Sequence, residues 1–219
     1  GKRIGLSGWQ DSGNTWTRAL LLEAGVPVDS IQWTLSRMTA ADRIDPERGK
    51  QFWDDRVVFH DPDETPLVDL LKEGKIDAIF QAFMPADFYS EGYGLRQLQP
   101  DFVSQEKAWF GRAGFVPGIH ILAMKADFIA AHPEAPRQLC ELLRASQNLW
   151  LAKRRKYFET TPWLIADLID MAKSLPEDWD PVGLEPNRKM LDEFARQQYL
   201  QKLTPVQRDA DFLFPVKTI

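Results

Sequence analysis

Apolar positions follow two rhythms along this chain. Up to about residue 100 they gather in short runs punctuated by Gly, Pro and Asp. Lys2 to Ser7 predicts a short buried strand, and Ile31 to Leu35 predicts a second. Between them, Thr15 to Ala24 has helical periodicity and stops at Gly25. Met38 to Phe59 is expected to hold a short helix and a strand around Val57 to Phe59. Asp63-Glu64-Thr65-Pro66 reads as a helix start, with Thr65 as N-cap and Pro66 in the first helical position. That helix ends at Gly74, and Lys75 to Gln81 predicts a further strand. Asp101 to Arg112 is expected to be helical, and Gly118 to Lys125 reads as an apolar strand. Beyond it the spacing turns almost wholly helical: Glu134 to Phe158, about Pro162 to Lys173, and Pro186 to near Leu203. The pattern therefore predicts an α/β sheet region, parallel or mixed, followed by helices after Lys125.

Composition narrows the classes. A chain of 219 residues makes one large domain or two small ones, and 44% hydrophobic with 27% charged residues is ordinary for a folded protein. A net charge of -5 repels phosphate backbones and argues against nucleic-acid binding. Cys140 is the lone cysteine, so neither an internal disulfide nor a thiolate metal cluster is available. No apolar run approaches the ~18 residues that span a bilayer, so membrane insertion is not expected. The chain opens on Gly1-Lys2-Arg3-Ile4, already strand-like and without a methionine, and an upstream segment is expected. A homo-oligomer stays open.

Candidate chemistry concentrates in three places. The first is the loop Ser7-Gly8-Trp9-Gln10-Asp11-Ser12-Gly13-Asn14-Thr15 and the helix it enters. A helix N-terminus offers unpaired N–H groups to an anion. Ser7, Gln10, Asn14 and Thr15 supply polar contacts, Trp9 and Trp16 aromatic walls, and Arg18 a carboxylate partner. A βα turn with a cap and two packed tryptophans fits the same residues. The second is the strand end Gln81-Ala82-Phe83-Met84-Pro85, because ligands of open α/β sheets sit beyond the carboxyl ends of strands. Gln81 there is a donor for a carboxylate or hydroxyl. The third is His120 in its apolar stretch, either a proton donor titrating near neutrality or a hydrogen-bonded core histidine. His60, Asp61, Asp63 and Glu64 match no standard metal spacing and read as a solvated turn. Lys153-Arg154-Arg155-Lys156 reads as the basic end of a helix.

Several stretches in order resemble the 4,5-dihydroxyphthalate decarboxylase family. They are Gly114-Phe115-Val116-Pro117-Gly118-Ile119-His120-Ile121, His132-Pro133-Glu134-Ala135, Thr161-Pro162-Trp163, Val182-Gly183-Leu184-Glu185-Pro186-Asn187-Arg188 and Asp211-Phe212-Leu213-Phe214-Pro215. Upstream, Gly1 to Leu6, Trp16-Thr17-Arg18, Asp77-Ala78-Ile79 and Pro100-Asp101-Phe102 fit as well. Departures are the Gly118-Ile119 pair between Pro117 and His120, and Gln97 where an arginine is usual.

The resemblance implies a type II periplasmic-binding-protein-like fold of two α/β lobes. Residues 1–115 would form the second lobe, 116–125 a crossover strand at the hinge, and 126–219 the helical C-terminal part of the first lobe, whose N-terminal part this chain lacks. Helices after residue 125 are then expected to leave a large apolar surface exposed or covered by a partner. The implied activity is decarboxylation of a hydroxylated aromatic dicarboxylate. His120 would be the acid, with Ser7, Trp9, Gln10, Asn14, Thr15, Trp16, Arg18 and Gln81 around the substrate. The Ser7 to Arg18 loop, the Gln81 to Pro85 strand end and His120 are expected to converge. Neither a metal nor a cofactor is required. The alternative is an ABC-type transporter's solute-binding protein for an aromatic or other small carboxylate, since fold does not fix function. The location would be cytoplasmic for the enzyme and periplasmic for the binding protein.

Overall fold

Four short strands make one parallel sheet in the order β3-β2-β1-β4: β1 Arg3–Leu6, β2 Gln32–Leu35, β3 Val58–His60 and β4 Ala78–Ile79. The computed structural model describes residues 1–45, 47–52 and 58–216; Val57, expected in a strand, lies outside them. The chain divides into two compact units. Unit 1 is Gly1–Pro100 with Phe194–Gln207, and unit 2 is Asp101–Glu193 with the segment from Arg208.

In unit 1 the central strand is flanked on both edges, with Ile4 opposite Trp33 on β2 and Ala78 on β4. Strands paired on both sides and covered on both faces need continuous apolar runs, and Ile4 to Leu6 is buried throughout. One apolar cluster gathers Ile4, Leu6, Trp9, Ile31, Trp33, Leu35, Val58, Phe80 and Leu203. A second gathers Met38, Leu67, Val68, Leu70 and Ile76. Gly5 lets this second layer close on the strand, because a Cβ there would collide with Leu67 and Ile76.

Helix α1, Ser12–Glu23, begins three residues before the expected Thr15. Its end follows from Gly25, which adopts φ +74. Gly25 N–H donates to the Leu22 carbonyl (3.0 Å) and Val26 N–H to Leu21 (2.8 Å), a Schellman closure. Helix α2, Leu67–Lys72, closes the same way around Gly74. Its start corrects the expected cap. Pro66, with extended ψ, holds the N-cap position, while Thr65 N–H donates to the Asp61 carboxylate (2.7 Å) and its carbonyl accepts from Ser36 Oγ (2.6 Å). The strand expected over Lys75 to Gln81 shortens to Ala78–Ile79. Ladder bonds from Asp77 N–H to Arg3 O (2.7 Å) and Phe80 N–H to Gly5 O (2.8 Å) still flank it.

Unit 2 holds α3 Phe102–Ala113, α4 Ala126–Ala131, α5 Ala135–Arg154, α6 Leu164–Ser174, the first turns of α7 Leu184–Leu200, and α8 Ala210–Leu213. Among the described residues no strand follows Lys125, as the change of rhythm predicts. The crossover strand expected over 116–125 is not formed: Gly118 to Lys125 has no regular structure, and Ile119, Ile121 and Leu122 are exposed. An apolar run alone does not make a strand. Its N–H and C=O groups need a ladder partner, and unit 2 contains no sheet among its described residues. His132 closes α4, its N–H donating to Phe128 O (2.9 Å). Helix α6 starts from Trp163, which has φ +62. Only Pro136, Leu184 and Ala210 are buried in this unit among the described residues. Large apolar side chains stand exposed along its helices, among them Leu142, Leu149, Ile165 and Ile169.

Candidate functional site

The order β3-β2-β1-β4 places a change of direction between β1 and β4. From β1 the chain steps one way to β2 and β3, then returns to the opposite side of β1 for β4. The carboxyl ends of two strands at such a switch point diverge into loops that leave a crevice, the usual ligand place in open parallel sheets. Here β1 runs out into Ser7 and the loop to α1, and β4 runs out into Phe80 and Gln81. Gln81 Nε2 donates to Ser7 Oγ (2.8 Å), bridging the two loops. The expected Ser7 loop and Gln81 strand end therefore meet. Ser7 and Gln81 are half-buried, and Phe83 and Met84 beyond them are exposed.

The loop is braced from inside. Asn14 Nδ2 donates to Gly8 O (2.8 Å), and Thr15 donates to Asp11 O through both N–H (2.9 Å) and Oγ1 (3.1 Å). Asn14 and Thr15 are buried, so they shape the loop and give it no outward donor. Asp11 is the N-cap residue of α1, without a side-chain cap bond. Its carboxylate lies over Gly8, where a Cβ would overlap it, and pairs with Arg48 at 3.4 Å. A negative group thus already stands in the positive field of the α1 start.

The tryptophans are packed rather than open. Trp9 meets the Trp33 edge at 5.6 Å between centroids, and Trp16 packs on Phe194 at 5.3 Å. Both are buried, and the Arg18 guanidinium covers the Trp9 ring at 4.1 Å.

Arg18 is the most unusual group here, a fully buried guanidinium. Its Nη2 donates to Trp9 O (2.7 Å) and its Nε to Gln201 Oε1 (2.8 Å). Gln201 Nε2 in turn donates to Thr15 O (2.9 Å). Arg18 Nη1, Trp9 Nε1 and the neighbouring Gln10 Oε1 are buried and have no hydrogen-bond partner among the described residues. Among the described residues no carboxylate bonds to Arg18. Burial pushes its pKa down to about 9, and the charge of Asp11 pulls it partly back. A buried cation held only by neutral acceptors is costly, and an anion is the group that relieves the cost. Gln201 went unnoticed in the sequence because it lies 183 residues from Arg18 with no motif around it.

His120 belongs to unit 2, where it is exposed in the irregular stretch before α4. It is therefore not a core histidine in a strand. Asp61 serves its turn by accepting the Thr65 N–H, and no group of three or more His, Cys, Asp or Glu residues is placed to hold a metal among the described residues. No helix among them is long and apolar enough to cross a membrane. The motif around Glu185-Pro186-Asn187-Arg188 is a bracket. Asn187 Nδ2 donates to Pro181 O (2.6 Å) and Gly183 O (2.8 Å), while Arg188 binds Glu185 (2.7 Å) and Asp211 (2.8 Å).

Comparison with known proteins finds no matching family model. A 4,5-dihydroxyphthalate decarboxylase of Comamonas testosteroni is 23% identical over 208 residues, which is 93% of this chain and 63% of that protein. The chain is a distant relative of that protein and spans less than two thirds of its length.

Proposed function

We propose that the protein removes one carboxyl group from a hydroxylated aromatic dicarboxylate of the 4,5-dihydroxyphthalate type. One observation carries the reaction: the similarity to a decarboxylase runs along 93% of this chain. The β1/β4 switch point supports the location, with Ser7 and Gln81 bridged across it and the buried Arg18 bonded to the loop that follows β1. The type II periplasmic-binding-protein-like fold belongs to the same proposal, supported by the all-parallel sheet of unit 1 and its βα loops.

The chemistry needs little from the protein. Ring hydroxyls push electron density onto the carbon that bears a carboxylate. A proton added there makes a σ-bonded intermediate. The carbon–carboxyl bond then breaks, its electron pair restores the aromatic ring, and CO2 leaves. One proton enters and one CO2 departs, so no redox partner or cofactor is needed. His120 is assigned the proton. Ser7, Gln10 and Gln81 are assigned the polar edges of the substrate. Arg18 is assigned the carboxylate charge. Asn14, Thr15, Trp9 and Trp16 hold the corner's shape.

The test is CO2 release from 4,5-dihydroxyphthalate. The unmodified protein is expected to release it. His120→Asn is expected to stop release while keeping affinity within about three-fold, because an acid acts in the transition state and a clamp in both states. Binding without CO2 release by the unmodified protein would contradict the assignment and leave a solute-binding role.

A further inference from the structure

Arg18 is held by an amide where a carboxylate is the common partner for a buried guanidinium. Gln201 Oε1 takes its Nε–H at 2.8 Å and the Trp9 carbonyl takes Nη2 at 2.7 Å, both neutral acceptors. Asp11 acts on it through space and is itself paired with Arg48. Gln201 is anchored from its other end, donating to Thr15 O at 2.9 Å on the first turn of α1. Both residues are at least nine-tenths buried, so this geometry is not a passing surface contact. The arrangement fixes the plane of the guanidinium and leaves one nitrogen, Nη1, without a partner among the described residues. It does so without cancelling the charge.

We infer that Gln201 is a positioning residue that keeps the charge of Arg18 uncompensated and available to the carboxylate of a bound aromatic acid. This rests on the reading of the β1–α1 corner as a carboxylate site. It adds the reason for an amide at position 201. A glutamate there would accept the same Nε–H and satisfy the buried cation internally. It would also lose the amide N–H that Thr15 O accepts, and it would leave the corner blind to anions. A purely structural role for Gln201 carries no such conflict, since better satisfaction of Arg18 would then cost nothing in binding.

The experiment is calorimetric titration of phthalate, and of its uncharged dimethyl ester, into the unmodified protein and Gln201→Glu, with melting temperature measured alongside. Gln201→Glu is expected to weaken phthalate by at least about ten-fold, the scale of one charge-assisted hydrogen bond, with the ester unaffected and the melting temperature showing that the protein is folded. Phthalate affinity within three-fold in a folded Gln201→Glu protein would overturn the inference while the carboxylate reading stands. No phthalate binding by the unmodified protein would sink the carboxylate reading and the inference with it. If Gln201→Glu does not fold, Gln201→Met carries the test by removing the acceptor without adding charge. It is expected to lose the protected Arg18 Nε–H signal in nitrogen-15 spectra and to weaken phthalate about three- to ten-fold. An unchanged signal with unchanged affinity would overturn the inference.

Discussion

Trp33 and Trp163 are the same residue in opposite settings. Trp33 is 0% exposed on β2, with rings of Trp9 and Phe80 around it and its Nε1 donating to Val28 O (2.9 Å). Trp163 is 81% exposed at the start of α6. The two units differ in the same way. Unit 1 closes two apolar clusters around a four-stranded sheet. Unit 2 buries few side chains and is tied by polar clasps: Arg188 with Glu185 and Asp211, Lys107 with Asp170, and Gln147 with Asp180. Exposed pairs of this kind are individually weak, at about 0–1 kcal/mol each. A sheet can bury both faces under helices and loops from its own chain. Amphipathic helices such as α5 and α6 need an apolar face supplied by something else. The difference explains why the candidate site is built on unit 1, where a rigid corner holds polar groups in place.

The comparison breaks most visibly at these tryptophans. Trp33→Ala is expected to cost about 3–5 kcal/mol in urea unfolding of unit 1, the usual range for emptying a core tryptophan site. Trp163→Ala is expected to change stability by no more than about 0.5 kcal/mol. Equal effects would mean that unit 2 has a core of its own.

A smaller contrast lies between Leu67, fully buried beneath β1, and Ile169, exposed on α6. Leu67→Ala is expected to cost about 2–5 kcal/mol and Ile169→Ala almost nothing, by the same measurement.

The clasps of unit 2 come next. Asp211→Asn removes one carboxylate from Arg188 and leaves Glu185, so a loss of about 0.2–1 kcal/mol is expected, shrinking further at high salt. A salt-independent loss above that range would show that the clasp is less solvated than its exposure indicates.

The smallest effect is a pH slope in unit 1. Hydrogen bonds from the Arg3 side chain and N–H hold the Asp77 pKa at about 2, below its ordinary 3.8. A folded pKa below the unfolded one gives stability that is present above the unfolded value and lost as pH falls through the folded one. Asp77→Asn is therefore expected to flatten the acid side of the stability profile between about pH 4 and 2. An unchanged slope would show that other carboxylates dominate it.

How far the sequence foretells this depends on the range of the forces. The strands around Ile4 and Trp33, and the helix ends at Gly25 and Gly74, follow from local apolar runs and from glycine's access to positive φ, so they are legible. The stretch Gly118 to Lys125 reads as a strand because its residues favour one, yet pairing is a tertiary property and none of the described residues pairs with it. Helix α4 is too short for a periodic signal. At the site, Ser7 and Gln81 are legible as strand-end residues, and their hydrogen bond follows once the strand order is known. Burial of Trp9, Trp16 and Arg18 is not, because each is buried by partners that no local pattern names.

The most direct test of the carboxylate corner is a titration of the unmodified protein with phthalate and with dimethyl phthalate, followed residue by residue in nitrogen-15 spectra. The account predicts at least about ten-fold tighter binding of the dianion, with shifts gathered at Ser7 to Arg18 and Gln81. Equal affinity for the uncharged ester, or shifts that leave Ser7, Arg18 and Gln81 untouched, would contradict it.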